Sequence, residues 1–247
     1  MNLLLDVSNT AVKWACESSG RLGASGHFVS RAGNIETLAE AAWSRLQPAD
    51  KVLVASVAGN DTEAALLAWF QENWQVQPVF LRSTASAFGV TNAYTDPETL
   101  GIDRWAAIVA AHQRYPGAVC VVDCGTAVTL DMVTAGGEHR GGLILPGIEM
   151  LQQMLLQNTA QLRLSAKQPA ATPLAETTAA GIYSGAVYML VAAIERSVAD
   201  MRAEQRVGID IVMTGGDAGR ILPSLHGVVQ HQPDLVLQGI AMLAGED

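Results

Sequence analysis

Val119-Cys-Val-Val-Asp123-Cys-Gly125-Thr126-Ala127-Val128-Thr129-Leu130-Asp131-Met-Val133 is an apolar, β-branched run that breaks at small residues and then resumes with alternation. The pattern reads as a β-hairpin whose backbone N–H groups line the bend. Such a bend can hold an anion. Asp123, where the first strand ends, would aim its carboxylate into the same bend, and a carboxylate beside a phosphate needs a cation between them. Asp and Gly also serve ordinary turn chemistry, and taken alone the stretch requires nothing more than that.

The pattern occurs twice. Near the N-terminus stands Leu3-Leu4-Leu5-Asp6-Val7-Ser8-Asn9-Thr10-Ala11-Val12-Lys13-Trp14, again an apolar run ending in Asp, with a small residue two positions later and alternation beyond. Aligning Asp6 with Asp123, 117 residues apart, pairs Ser8 with Gly125, Asn9 with Thr126 and Thr10 with Ala127. A repeat of about half the chain predicts two related domains, 1–116 and 117–247, each offering one turn to the phosphates of a nucleotide.

Composition narrows the class. With 247 residues, 49% of them hydrophobic, the chain can build a substantial core in one large domain or two ordinary ones. No window approaches 18 uninterrupted apolar residues, and no basic segment precedes the apolar start, so neither a membrane span nor a signal peptide is indicated and the expected compartment is cytoplasmic. A net charge of −9 argues against nucleic-acid or anionic-membrane partners, which need a basic field. Cys16, Cys120 and Cys124 match no paired metal motif and read as core thiols.

Along the chain, Arg21 to Phe28 reads as a returning strand, Thr37 to Leu46 as a helix and Lys51 to Val57 as a buried strand. Asn60 followed by Glu63 has the pattern of a capping box for a helix from Asp61 to Trp74, whose aromatic face reads as core. A short strand over Val76 to Leu81 belongs at an edge because of Pro78. Ser83 to Pro97 is aperiodic, a loop of the length that carries binding residues, and Gly101-Ile102-Asp103-Arg104 opens a helix over Trp105 to Tyr115. Gly141-Gly142 and Pro146-Gly147 suit either a backbone passing close to a ligand or plain turns before a helix over Met150 to Leu156. Gln161 to Pro173 reads as an excursion, Ala179 to Glu204 as a long helix, Ile209 to Met213 as a strand delivering Gly215-Gly216-Asp217, and Pro233 to Leu243 as a closing helix.

In order and spacing, Asp6 to Lys13, Gly101 to Arg104, Asp123 to Ala127 with Thr129 and Asp131, and Gly141-Gly142 through Pro146-Gly147 resemble the type III pantothenate kinases, over residues 3 to about 243. The resemblance implies an α/β fold of two ribonuclease-H-like domains of the acetate and sugar kinase, Hsp70 and actin superfamily. It implies ATP-dependent phosphorylation of pantothenate to 4'-phosphopantothenate, the first step towards coenzyme A. ATP would bind along Asp6, Val7, Ser8, Asn9, Thr10, Ala11, Val12 and Lys13 and at Thr126, with Asp6 holding hydrated Mg²⁺. Asp103 would be the general base, and Tyr94, Gly101, Ile102, Asp103, Arg104 and Thr178 would meet pantothenate. Asp123 would hold K⁺ or NH₄⁺, Gly215 to Asp217 would lie on the adenosine side, and the long helix would serve a homodimer. Ser8 departs from the family's usual Gly, which matters only where φ must be positive. Two other readings keep the fold: a small-molecule kinase with a different acceptor, and a non-catalytic transcriptional accessory factor.

Overall fold

A computed structural model describes residues 1–157 and 170–245, so most of the excursion expected over 161–173 lies outside the described residues. Two units emerge, Met1–Gln113 with the segment from Asp234, and Arg114–Pro233. The first begins as an antiparallel meander, β1 (Asn2–Val7), β2 (Ala11–Ser18) and β3 (Arg21–Val29), followed by α1 (Ile35–Trp43) and β4 (Lys51–Ser56), which returns parallel to β1. Next come α2 (Asn60–Asn73), the two-residue edge strand β5 (Val79–Phe80), a small hairpin of β6 (Ser86–Ala87) and β7 (Val90–Thr91), and α3 (Ile102–Arg114). Strand alternation sorts the sheet's faces. Leu3, Leu5, Val7, Val12, Trp14, Val52 and Val54 join Trp43, Leu66, Trp69 and Phe70 in one core cluster. There Trp43 stacks on Phe70 at 5.0 Å between ring centroids and meets Trp69 edge-on at 5.5 Å, so the aromatic residues are core, as their spacing predicts.

The second unit repeats the plan. It contains β8 (Ala118–Cys124), β9 (Ala127–Val133), β10 (His139–Pro146), α4 (Ile148–Gln157), α5 (Thr178–Gln205), β11 (Ile209–Thr214), α6 (Ala218–Ile221) and β12 (Val229–His231). Its sheet order, β10-β9-β8-β11-β12, matches β3-β2-β1-β4-β5 strand for strand. In both, the central strand pairs antiparallel with its hairpin partner and parallel with the strand that returns. The duplication in the two turn sequences is therefore a duplication of topology. Helix α5 is capped by Thr177, whose hydroxyl accepts the Ala180 N–H at 3.2 Å, and ends at Arg206 in the left-handed region. It is long and apolar enough to cross a membrane, yet Ile182, Tyr183, Val187, Leu190 and Ile194 on it are buried, in the core with β8, β9 and β11.

Four expectations need correction or refinement. The last helix, α7 (Leu235–Leu243), belongs to the first unit, where it packs on β1 and β4; a Cβ at Gly239 would strike the backbone of Ala106 in α3, so the two helices meet at that glycine. Asn60 does not cap α2. The helix starts one residue earlier, at N-cap Gly59, whose carbonyl accepts the Thr62 and Glu63 N–H groups, and no side chain caps it. The supposedly aperiodic loop contains the β6–β7 hairpin, closed by Phe88 and Gly89, both at positive φ, as a two-residue hairpin turn requires. Finally, Val7 faces Val12 while Cys124 faces Val128, so the first hairpin turn is one residue longer than the second, and Asn9 and Thr10 together correspond to Thr126 alone.

Candidate active site

In the first unit the site grows from the end of β1. Because Leu5 and Val7 face the aromatic core, alternation turns Asp6 to the opposite face, where it stands directly across from Lys13 on β2 and Ala55 on β4. Lys13 is thus the cross-strand neighbour of the carboxylate. The turn that follows is held from several sides. The Ser8 N–H donates to the Ala11 carbonyl at 2.9 Å, the Ser30 N–H to the Thr10 carbonyl at 2.9 Å, and Arg31 Nε to the Asn9 carbonyl at 3.2 Å. These bonds engage the carbonyls of Asn9, Thr10 and Ala11.

Ser8 adopts no positive φ, so the serine is accommodated without strain where the resemblance led us to expect glycine. Its hydroxyl acts inside the turn, accepting the Ala11 N–H at 3.1 Å and the Thr10 N–H at 3.4 Å while donating to the Ala11 carbonyl at 3.0 Å. Two amides expected to meet phosphate are thus occupied by this hydroxyl. The Asn9 side chain reaches the Val57 carbonyl at 3.3 Å, and the Val57 N–H donates to the Val7 carbonyl at 2.9 Å.

Val57 also joins the turn to the start of α3. A Cβ built on Gly101 would lie 3.6 Å from Val57 Cγ1 and 2.6 Å from Asp103 Oδ1. Any side chain at 101 would push the Asp103 carboxylate aside, which gives this glycine a steric reason beyond turn chemistry. Asp103 Oδ1 accepts the Arg104 N–H at 2.8 Å in the first helical turn, where the helix dipole favours a carboxylate. Ile102 and Arg104 are buried, and the Arg104 guanidinium donates to the Tyr94 hydroxyl at 3.1 Å and lies 5.8 Å from the centre of that ring. Tyr94 is positioned in turn by Asn92. The Asn92 side chain accepts the Tyr94 N–H at 3.0 Å and donates to the Thr84 carbonyl at 3.2 Å, pinning the loop across its width.

In the second unit the corresponding turn is more tightly enclosed. Asp123 stands opposite Thr129 on β9 and Thr214 on β11, on the face away from the core formed by Cys120, Val122 and Cys124. Gly125 donates to the Ala127 carbonyl at 3.0 Å, and the Thr126 carbonyl accepts the Gly147 N–H at 3.0 Å. A Cβ at Gly147 would run into the Gly125 and Thr126 carbonyls, one at Gly142 into Leu130 and Asp131, and one at Gly215 into Cys124 and the Asp123 carboxylate. Those glycines therefore let β10, α4 and the turn after β11 close around the hairpin. Gly215 is also at φ +95, and the Asp217 N–H donates to the Cys124 carbonyl at 2.8 Å.

All three cysteines are buried and free. Burial pushes the Cys120 thiol up to about 12; Cys124 is driven higher still, by burial first and then by the charges of Asp123 and Asp217. Neither is a nucleophile near neutral pH. The same effect on Cys124 shows that two carboxylates act on the hairpin turn. Oxygen donors of this kind suit a hard cation and offer nothing to a thiophilic metal. Among the described residues, no group of three or more His, Cys, Asp or Glu side chains could hold a metal ion. Thr178 is the first residue of α5 and is exposed. Val57 and Arg220, which brace the two sites, carried no signal in the sequence.

A family model for type III pantothenate kinase matches residues 2–200. The type III pantothenate kinase of Nitrosococcus oceani is 42% identical over 249 residues, spanning 99% of this chain and 94% of that protein. The one from Alkalilimnicola ehrlichii is 38% identical, spanning 99% and 98%. Among solved structures, one described as a conserved Baf family transcriptional activator from Campylobacter jejuni aligns with a TM-score of 0.63 at 21% identity, covering 99% of this chain and 98% of that one. A 2-dehydro-3-deoxygalactonokinase structure from Sinorhizobium meliloti aligns at 0.61 and 12% identity, covering 99% and 96%. These two structural likenesses carry the fold alone, a sugar-kinase-like α/β architecture of two five-stranded sheets. Full-length identity and the matching family model carry more: the chain belongs to the type III pantothenate kinase family.

Proposed function

We infer that this protein transfers the γ-phosphoryl group of ATP to the primary hydroxyl of pantothenate, giving 4'-phosphopantothenate at the start of coenzyme A synthesis. Its full-length similarity to type III pantothenate kinases carries this reading. The joining of the Asp6 turn to Gly101 and Asp103 through Val57 supports it, because phosphoryl transfer depends chiefly on positioning and charge neutralisation. In this reading Asp103 accepts the proton of the pantothenate hydroxyl, and Gly101 keeps its carboxylate clear. Arg104, locked against Tyr94, meets the pantothenate carboxylate, while Ile102 lends the apolar wall and Thr178 contributes a hydroxyl.

Val7, Ala11 and Val12 hold the strands of the first turn, which presents the Asn9 amide and the Thr10 side chain to phosphate while the Ser8 hydroxyl braces the turn from within. Lys13 adds charge, and Thr126 does the same service as Thr10 from the second turn. Asp6 would hold the water shell of Mg²⁺, which would supply neutralisation of the phosphate oxygens. Asp123 would hold K⁺ or NH₄⁺, which would offset the repulsion between its carboxylate and the phosphates. Met150, Met154 and Leu155 on α4 and Tyr188 and Met189 on α5 are exposed, and their apolar surface suits a homodimer. The setting is the cytoplasm, with neither nucleic acid nor membrane as partner.

A coupled assay with pantothenate, ATP and Mg²⁺, run in matched K⁺ and Na⁺ buffers, tests the reading. Pantothenate-dependent ADP release is expected, faster in K⁺. ADP release with another hydroxyl acceptor but not with pantothenate would replace the substrate; equal rates in the two salts would remove the cation from Asp123 and leave the kinase standing.

A further inference from the structure

The carboxyl ends of the adjacent parallel strands β8 and β11 carry the Asp123 hairpin and the Gly215–Asp217 turn, and the crevice at such strand ends is where open α/β sheets bind nucleotides. The turn after β11 has little of its own to hold it in place. Helix α6 behind it has four residues, too few to be stable alone, and Asp217 makes no side-chain cap at its start. What fixes it is Arg220. Its Nη1 donates to Asp217 Oδ1 at 2.9 Å and to Glu149 Oε1 in the first turn of α4 at 2.7 Å. Its guanidinium lies 5.2 Å from the centre of the buried Tyr183 ring on α5. Helix α4 starts at Gly147, which bonds Thr126, and Asp217 bonds Cys124. One cation therefore ties the turn after β11, the start of α4 and the N-terminal turns of α5 around the second hairpin.

We propose that Arg220 is a positioning residue for the nucleotide: it sets the Gly215–Asp217 turn against the Asp123–Thr126 hairpin and offsets part of the negative charge that Asp217 and Glu149 would otherwise turn on the phosphates. Its fork of donors suits this task and a lysine would perform it only in part. The assignment rests on the kinase reading above.

The test is a titration of folded protein with a non-hydrolysable ATP analogue and Mg²⁺, without pantothenate, alongside steady-state kinetics for both substrates. Arg220→Met is expected to weaken nucleotide binding roughly tenfold, the scale of one lost charged hydrogen-bond pair, and to raise the KM for ATP while that for pantothenate stays within about twofold. Arg220→Lys should recover part of the loss, and Glu149→Gln, at a largely exposed position, should cost about two- to threefold. Unchanged nucleotide affinity in folded Arg220→Met, or equal rises in both KM values, overturns the positioning role. Should Arg220→Met fail to fold, unchanged affinity in both Arg220→Lys and Glu149→Gln overturns it equally. A wild type that binds no nucleotide would remove the kinase reading itself, an outcome distinct from the others.

Discussion

At the scale of single residues, the chemistry depends on where a few oxygens are held. Asp103 stands beside a glycine that leaves its carboxylate room, so the conservative change should be mild structurally and severe chemically. Asp103→Asn is expected to keep the thermal midpoint and nucleotide affinity near those of the wild type and to cut kcat by about a hundredfold or more, the loss typical of a missing general base. A variant with near-normal kcat would exclude Asp103 from proton transfer. Ser8 offers the opposite experiment. Its hydroxyl occupies the Thr10 and Ala11 amides, which ATP must share or recover. Ser8→Gly should therefore lower the KM for ATP by about two- to threefold, at a stability cost of several tenths of a kcal/mol from added chain entropy. A rise in KM would mean that the hydroxyl itself binds phosphate.

At the scale of elements, the contacts that shape the site are backbone approaches. The hairpin β8–β9 is crowded by Gly142, Gly147 and Gly215, and α7 reaches the first sheet by crossing α3 at Gly239. Gly239→Val is the clearest test, because the added methyl groups meet the rigid Ala106 backbone. The expected result is a loss of about 3 kcal/mol in denaturant unfolding, at the upper end for overpacking. A loss below about 0.5 kcal/mol would show that α7 can lift off without consequence, and that its place in the first unit contributes little. The element scale also explains why the long apolar helix α5 needs no bilayer: its buried stripe is occupied by strands of its own unit.

For the whole molecule, two copies of one sheet plan lie in a single chain, and Met150, Met154 and Leu155 on α4 and Tyr188 and Met189 on α5 of the second unit are exposed. Burying that surface against a second copy would remove apolar area from water. Sedimentation of the wild type at micromolar concentration is expected to give a dimer, and Met189→Glu, at a position 59% exposed, to shift it towards monomer. A wild type that sediments as a monomer throughout would assign the patch to another partner.

The linear order of residues by itself determined the repeat, the class of fold and the family, and it singled out the carboxylates Asp6, Asp103 and Asp123, with their neighbouring turn residues, as candidates. These are local signals: an apolar run ending in an acid, a small-residue turn and resumed alternation are legible because strand period and turn chemistry act over only a few positions. Only the tertiary structure decided that α7 joins the first unit, that Val57 connects Asn9 to Gly101, that Ser8 occupies its own turn's amides, and that Arg220 binds Glu149 71 residues away. Each of these depends on which face of a sheet is left to cover, or on which backbone can approach another without a Cβ between them. Such choices are made by long-range packing, and they leave no period or motif in the chain.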